Sequence, residues 1–238
     1  MAAETEGKPT LLHLNGSQSQ TILWLLEELE VPYNLKLFQR GTSGANKGRA
    51  PESLKETHPL GKSPQLITAS GRVIVERSAI TAYLIETYDS AGKFKVSGAD
   101  DAHDIWREQE LVGFAEASFY VMAMPALLLH FLGVYAPFVV RPLTWAVSAM
   151  LRKGMLDKEY AAQLKYMNNI LEGQEFFMSD RNPTRIDFVI LFFIEQAYDN
   201  KVVDIAPYAN VKAWFDRCLA RPAWKRAVEK GNGPPTTP

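Results

Sequence analysis

A single cysteine, Cys218, is all the thiol chemistry that this chain of 238 residues carries. An intrachain disulfide and a Cys-x-x-Cys redox pair are both impossible, which excludes an oxidoreductase working through its own cysteines and points to a reducing compartment, the cytoplasm. Histidine is almost as scarce. His13, His58, His103 and His130 lie far apart and form no short-spaced ligand set, so no metal is expected. An excess of either charge is also missing: 26 Lys plus Arg stand against 27 Asp plus Glu, a formal net charge of -1, with no basic footprint for nucleic acid. The opening Met-Ala-Ala-Glu-Thr-Glu-Gly-Lys has no apolar core of the signal-peptide kind. Small molecules and proteins are the partners these absences leave.

The longest absence is internal. From Ala117 to Val140 there is no Lys, Arg, Asp or Glu, a run long enough to be tested as a membrane span. Pro125, Pro137 and His130, with Ser, Tyr and Gly among them, argue against spanning. The expectation is a bent, fully buried helix with one apolar face lining a pocket; peripheral membrane contact is the other reading.

What is present changes texture near residue 90. Before it, strand and helix patterns alternate: a strand at Thr10–Leu14, a helix over Ser17–Leu29 with Ile22, Leu25, Leu26 and Leu29 at helical spacing, and a strand at Tyr33–Phe38. A polar loop at 41–50 and a short helix after Pro51 follow. Strands at Gln65–Thr68 and Arg72–Val75 then flank Ala69-Ser70-Gly71, and a helix runs from Arg77 to Tyr88. Beyond the loose stretch 89–98 only helical periods occur. In Thr184-Arg185-Ile186-Asp187 a Thr is followed three residues later by an acid, a capping-box variant. It precedes a stripe of Val189, Ile190, Phe193, Ile194 and Ala197; Val211, Trp214, Phe215, Cys218 and Leu219 make another, which places Cys218 on a core face.

The order β-α-β, α-β-β-α predicts a thioredoxin-like α/β N-terminal domain, followed by an all-α C-terminal domain. The expected boundaries are 1–89, a linker at 90–99, and 100–238. Pro64 stands where a strand should begin. An X-Pro bond takes the cis form at modest cost, and a cis proline at a strand's start turns the preceding residue's amide and carbonyl outward, where a peptide-like ligand can pair with them. A plain trans proline opening a strand is the alternative.

Several segments carry a resemblance. They are His13-Leu14-Asn15-Gly16-Ser17-Gln18-Ser19-Gln20 leading into Ile22–Leu29, His58-Pro59-Leu60-Gly61-Lys62-Ser63-Pro64, and Glu76-Arg77-Ser78-Ala79-Ile80. Phe114-Ala115-Glu116-Ala117-Ser118, the Thr184–Asp187 cap and Arg221-Pro222-Ala223-Trp224 continue it. Each is weak alone, but in this order and spacing the chain resembles the cytosolic glutathione S-transferases, particularly Ser-type fungal and bacterial members.

The resemblance implies glutathione as co-substrate, a small hydrophobic electrophile as second substrate, no metal, and a homodimer. It implies that Ser63, before Pro64, pairs with the cysteinyl unit of glutathione, that Glu76 binds the γ-glutamyl ammonium, and that the adjoining helix N-terminus favours the carboxylate of that unit. Lys62 is a second contact, and a Lys or Arg of the 40–47 loop would meet the glycyl carboxylate. Family members usually have Ser directly after this Glu; here Arg77 intervenes and Ser78 comes one place later. Either Arg77 binds the γ-glutamyl carboxylate or it points away and a backbone amide serves.

Such chemistry needs a thiolate, because a thiol near its ordinary pKa of about 8.5 is only slightly ionised at neutral pH. No tyrosine precedes Tyr33 and no cysteine precedes Cys218, so Tyr-type and Cys-type members are excluded. Ser17 remains as thiolate donor, with Asn15 and Ser19 as substitutes; a plain helix-capping role for Ser17 is the competing reading. Phe119, Tyr120 and Met124 would supply apolar walls for the electrophile. The reaction implied is conjugation, or the related reduction of an organic peroxide. A scaffold that keeps the fold without turnover is the alternative.

Overall fold

A computed structural model describes residues 7–96 and 104–231. Parts of the expected linker, the first residues of the helical domain and His103 lie outside the described residues. The chain forms two compact units, one running to Lys95 and rejoined from Cys218 onward, the other from Val96 to Arg217.

In the first unit, strand β1 (Thr10–Leu14) is buried at every position, as a central strand covered on both faces must be. It pairs in parallel with β2 (Asn34–Phe38), with Leu12 opposite Lys36. On its other side it pairs antiparallel with β3 (Gln65–Ile67), which in turn pairs antiparallel with β4 (Val73–Val75). The order is β2-β1-β3-β4. Helix α1 (Ser19–Leu29) and helix α2 (Arg77–Tyr88) complete the predicted alternation. The short helix expected after Pro51 is a 3-10 segment, Glu52–Glu56. Helix α1 starts two residues later than expected because Ser17 closes a turn: its hydroxyl donates to Leu14 O at 2.7 Å and its carbonyl accepts from Gln20 N at 3.1 Å.

Every residue of α1 from Ser19 to Glu28 is buried, so a sheet on one side cannot be its only cover. Further cover comes from α2 and from α9 (Pro222–Lys230), which packs along α1. Trp224 meets Trp24 edge-on at 5.7 Å.

The second unit contains α3 (Ile105–Gly113), a π-helical turn at Phe114–Phe119, α4 (Tyr120–Tyr135), α5 (Arg141–Leu151), a second π-helical turn, α6 (Asp157–Ile170) and α7 (Arg185–Asp199). Helix α8 (Ala209–Ala220) carries the chain back towards the first unit's terminal segment. The capping box of α7 is present. Asp187 Oδ2 accepts from Thr184 N at 2.7 Å, and Oδ1 accepts from Trp214 Nε1 at 2.7 Å. One buried carboxyl thus fixes the start of α7 and docks α8. Both predicted stripes form, and Cys218 is buried.

The expectation of a fully buried apolar helix is corrected. Pro125 does sit inside α4, removing one backbone donor from the helix. However, Val121, Leu128, Leu132 and Tyr135 are exposed, as are Phe138, Val139 and Val140 beyond the helix end. Lack of charge measures how poorly a segment tolerates water, not whether the fold has enough partners to cover it.

Glu195, on the buried α7, has Oε2 without a hydrogen-bond partner among the described residues. Burial first, and the nearby Asp199 charge second, push its carboxyl up to about 8. The folded group therefore holds a proton that the unfolded chain gives up near its ordinary pKa, so stability falls as pH rises from about 4.5 to about 8. Glu195→Gln is expected to raise the thermal midpoint at pH 8 by about 5 °C and to leave it nearly unchanged at pH 4.5, as differential scanning fluorimetry across pH would measure.

Candidate active site

An open-sided recess of about 230 Å³ lies in the first unit where the β3 approach meets the start of α2. Lys62, Ser63, Pro64, Glu76 and Arg77 line it, joined by Gln18, His58, Leu60 and Val75. The first five are residues expected from the sequence. Gln18, His58, Leu60 and Val75 are not: the first three fall inside the segments that carry the resemblance, but nothing in their spacing sets them apart as lining residues.

The Ser63-Pro64 peptide is cis, as expected. Glu76 occupies φ 67°, ψ 124°, a left-handed-side conformation that costs a non-glycine residue on the order of 1–3 kcal/mol. Its carbonyl accepts the first bond of α2, from Ile80 N at 2.9 Å. Its carboxylate is exposed at the recess, beside unsatisfied amides of the first helical turn. Arg77 follows at the first helical position, and its residue is only 1% exposed, so the guanidinium is withdrawn into the protein rather than presented to solvent. Ser78 lies one step further along α2 and does not line the recess; its carbonyl accepts from Thr81 Oγ1 at 3.0 Å.

Behind Ser63 runs a chain of hydroxyls. Ser63 Oγ is 3.3 Å from Ser17 Oγ, Ser17 Oγ is 2.8 Å from Ser19 Oγ, and Ser19 Oγ is 2.9 Å from His13 Nδ1. His13 Nε2 then meets Gly231 O at 2.7 Å. A carbonyl can only accept, so Nε2 carries a hydrogen; burial, outweighing the two backbone bonds, keeps the imidazole below its usual pKa and neutral. Nδ1 must therefore accept, and the donor is Ser19. The Ser17 hydrogen is left with Leu14 O at 2.7 Å or Ser19 Oγ as inward acceptors, or with Ser63 Oγ at 3.3 Å on the recess side, since Ser63 gives its own hydrogen to Leu12 O at 3.2 Å. Ser17 is 5% exposed and stands behind the recess wall.

Asn15 is likewise engaged. Its Oδ1 accepts from Arg40 N at 2.7 Å, and its carbonyl accepts from Arg40 Nε at 3.1 Å. Arg40 also donates to Gly48 O and Gly16 O, so the one arginine at the start of the 40–47 loop is occupied in tying that loop to the β1–α1 turn. Of the residues expected to face the electrophile, Phe119 is fully buried against Tyr160 at 6.0 Å. Tyr120 is half-buried and stacks on Phe193 at 4.4 Å; Met124 is half-buried on the same helix.

The wall carrying Ser17 is held by the end of the chain. Arg226 Nε donates to Glu27 Oε2 at 2.8 Å, Lys230 Nζ to Glu27 Oε1 at 2.6 Å, and Arg221 NH2 to Glu28 Oε2 at 2.8 Å. Burial alone would push the Glu27 carboxyl up, but hydrogen bonds from Lys230, Tyr33 and Arg226 together hold it below its ordinary value.

A cis-proline recess on a β2-β1-β3-β4 sheet, followed by helices, defines a thioredoxin-like domain joined to a helical one. Residues 16–87 match the glutathione S-transferase N-terminal domain, and residues 153–222 the glutathione S-transferase C-terminal domain. Glutathione S-transferase 3 of Schizosaccharomyces pombe is 31% identical over 220 residues, covering 92% of this chain and 86% of that protein. A glutathione S-transferase of Actinobacillus pleuropneumoniae is similar in structure with a TM-score of 0.69 at 27% identity, covering 94% of this chain and 93% of that one. A sphingomonad glutathione S-transferase, solved in complex with glutathione, shares the fold at TM-score 0.64 and 18% identity over 94% of this chain and 98% of that one. The chain belongs to the glutathione S-transferase family.

Because the folded Glu27 pKa lies below the unfolded one, its stabilisation is fully present above the ordinary carboxylate range and is lost as pH falls through the folded value. Glu27→Gln should lower stability by about 2 kcal/mol at neutral pH, with wild type and variant converging in acid; urea titrations at neutral and acidic pH provide the check.

Proposed function

We propose that this chain conjugates glutathione to hydrophobic electrophiles, a detoxification-type transferase reaction of the cytoplasm carried out by a homodimer. The observation that supports it most is the meeting of Lys62, Ser63, Glu76 and the α2 N-terminus in one recess, in a chain of this family. The tripeptide's cysteinyl backbone pairs beside Ser63-Pro64. Its γ-glutamyl ammonium faces Glu76 and its γ-glutamyl carboxylate the amides that open α2, where helix dipole and free donors favour an anion. With the Arg77 side chain buried, the backbone amides of Arg77 and Ser78 are the donors we assign to that carboxylate. Lys62, exposed at the rim, supplies positive charge for the rest of the tripeptide. The proposed division of labour is 1–89 for glutathione, 90–99 as linker and 100–238 for the electrophile.

In the reaction the thiol proton leaves to solvent and the thiolate attacks an electrophilic carbon to form a C–S bond; in a substitution the leaving group departs with its electron pair, and in an addition the π bond of the electrophile breaks to a carbanion that solvent protonates. Ser17 is the proposed hydroxyl donor to the thiolate, which requires its hydrogen to turn from Leu14 O or Ser19 towards the sulfur; Ser19 and Asn15 are the substitutes. Tyr120 and Met124 contact the electrophile, with Phe119 as packing beneath them. With an organic peroxide as acceptor, the same thiolate attacks the terminal peroxide oxygen, the O–O bond breaks and the alkoxide leaves and is protonated to the alcohol; the sulfenic acid formed then condenses with a second glutathione to the disulfide and water.

A second reading, a glutathione-binding scaffold without turnover, is favoured by one observation: the Ser17 hydroxyl is satisfied inside the protein. Binding measured by calorimetry together with conjugation and peroxide assays separates the two, since binding without turnover selects the scaffold. Ser17→Ala is expected to raise the bound thiol's pKa by about one to two units, seen as a shift of the pH–rate profile to higher pH; an unshifted profile assigns the donor to Asn15 or Ser19. Glu76→Gln should weaken glutathione binding about tenfold, and an unchanged dissociation constant would remove Glu76 from the ammonium site.

A further inference from the structure

Apart from Ile105 and Trp106 at the start of α3, the large exposed apolar side chains described in the second unit lie on the hairpin of α4 and α5 and the turn between them. The two helices lie against each other: Ser148 Oγ donates to Leu129 O at 3.2 Å, and a Cβ placed on Gly133 would come within 2.8 Å of the Trp145 ring. Gly133 thus lets the indole lie against α4 while the residue stays largely exposed. The connection at the apex is ordered by hydrogen bonds, Val140 N to Pro137 O at 2.9 Å and Arg141 Nε to Ala136 O at 2.9 Å. The apex is strongly exposed, with Phe138 at 80% and Val139 at 73%. Tyr135, Leu143 and Trp145 stand exposed just behind it.

Charge decides what could cover such a surface. From Ala117 to Leu156 the sequence has no Asp or Glu, and its charged residues are Arg141, Arg152 and Lys153; Arg141 and Lys153 are exposed. A second copy docking this face on itself about a two-fold axis would bring cations towards cations, with no acid in the segment to pair them. An anionic lipid surface pairs with the exposed Arg141 and Lys153, accepts Phe138 and Val139 among its acyl chains, and suits aromatic rings such as Tyr135 and Trp145 at the headgroup level.

Crossing the bilayer is a different matter. The helical run Ile105–Gly133 has a window of mean hydropathy 1.6, long enough to span. Its first turns carry Arg107, Glu108 and Glu110, however, and Glu108 pairs with Arg185 of α7 at 3.4 Å. Phe119, further along, is part of the core. The run is anchored in the unit at one end and apolar on the outside at the other, as a surface-inserting element is.

We propose that the α4–α5 hairpin, led by Phe138 and Val139, docks this protein peripherally on membranes rich in anionic lipid. The inference is independent of the glutathione chemistry, because none of its residues lines the recess. The test is co-sedimentation of the full chain with vesicles of phosphatidylcholine alone and of an equimolar mixture with phosphatidylserine. Binding is expected to be about tenfold tighter to the anionic vesicles. It should fall about tenfold or more in the double variant Phe138→Ser, Val139→Ser, with circular dichroism and thermal midpoint unchanged. Lys153→Glu should reduce only the preference for anionic vesicles. The proposal is overturned if wild type stays in the supernatant with both vesicles, or if the double variant binds as wild type does. It is equally overturned if analytical ultracentrifugation shows a dimer that the double variant dissociates, which would make a second copy the occupant.

Discussion

Two neighbouring carboxylates, Glu27 and Glu28, hold the first unit together. Both are buried on α1, and both are satisfied by cations from the chain's last segment: Arg226 and Lys230 on Glu27, Arg221 on Glu28. A buried acid without such partners would be strongly destabilising, so the arrangement commits α9 to α1. It also explains how α1 can be buried all round although a four-stranded sheet covers only part of it. The last described residue, Gly231, then meets His13 at the end of β1. The start and the end of the described chain are one packing unit.

The proposed chemistry depends on that closure. His13, fixed in one tautomer by the Gly231 carbonyl, orients the Ser19 hydroxyl, and Ser19 in turn faces Ser17. The recess in front of them is built from two short segments brought together by sheet pairing, the approach to β3 and the start of α2. Backbone strain is stored there at Glu76, and such strain persists only where surrounding structure over-determines it. The site is thus a local outlier on a well-packed frame, while the apolar hairpin of the second unit is an outlier of another kind, a surface rather than a strained loop.

Much of the fold was legible because periodicity is a local property. β1 and α2 were placed to the residue, and the Thr184–Asp187 cap was readable from its spacing, since capping uses residues only three apart. The recess was partly legible: Lys62, Ser63, Pro64, Glu76 and Arg77 sit in contiguous motifs, whereas Gln18, His58, Leu60 and Val75 join them only through the fold. Arg77 shows the limit sharply. Its presence in place of Ser was visible in the sequence, but the burial of its side chain was not.

The sequence by itself determined the order of elements, the cis-capable proline at a strand's start and the absence of any cysteine chemistry beyond Cys218, because each follows from residue identity and short-range spacing. Only the tertiary structure decided that Ser17 points inward, that Arg40 ties a loop, that the last helix belongs with the first strand and helix, and that an uncharged helix lies largely on the surface. Each of these depends on which distant groups arrive as partners or as cover, and neither composition nor periodicity records who arrives.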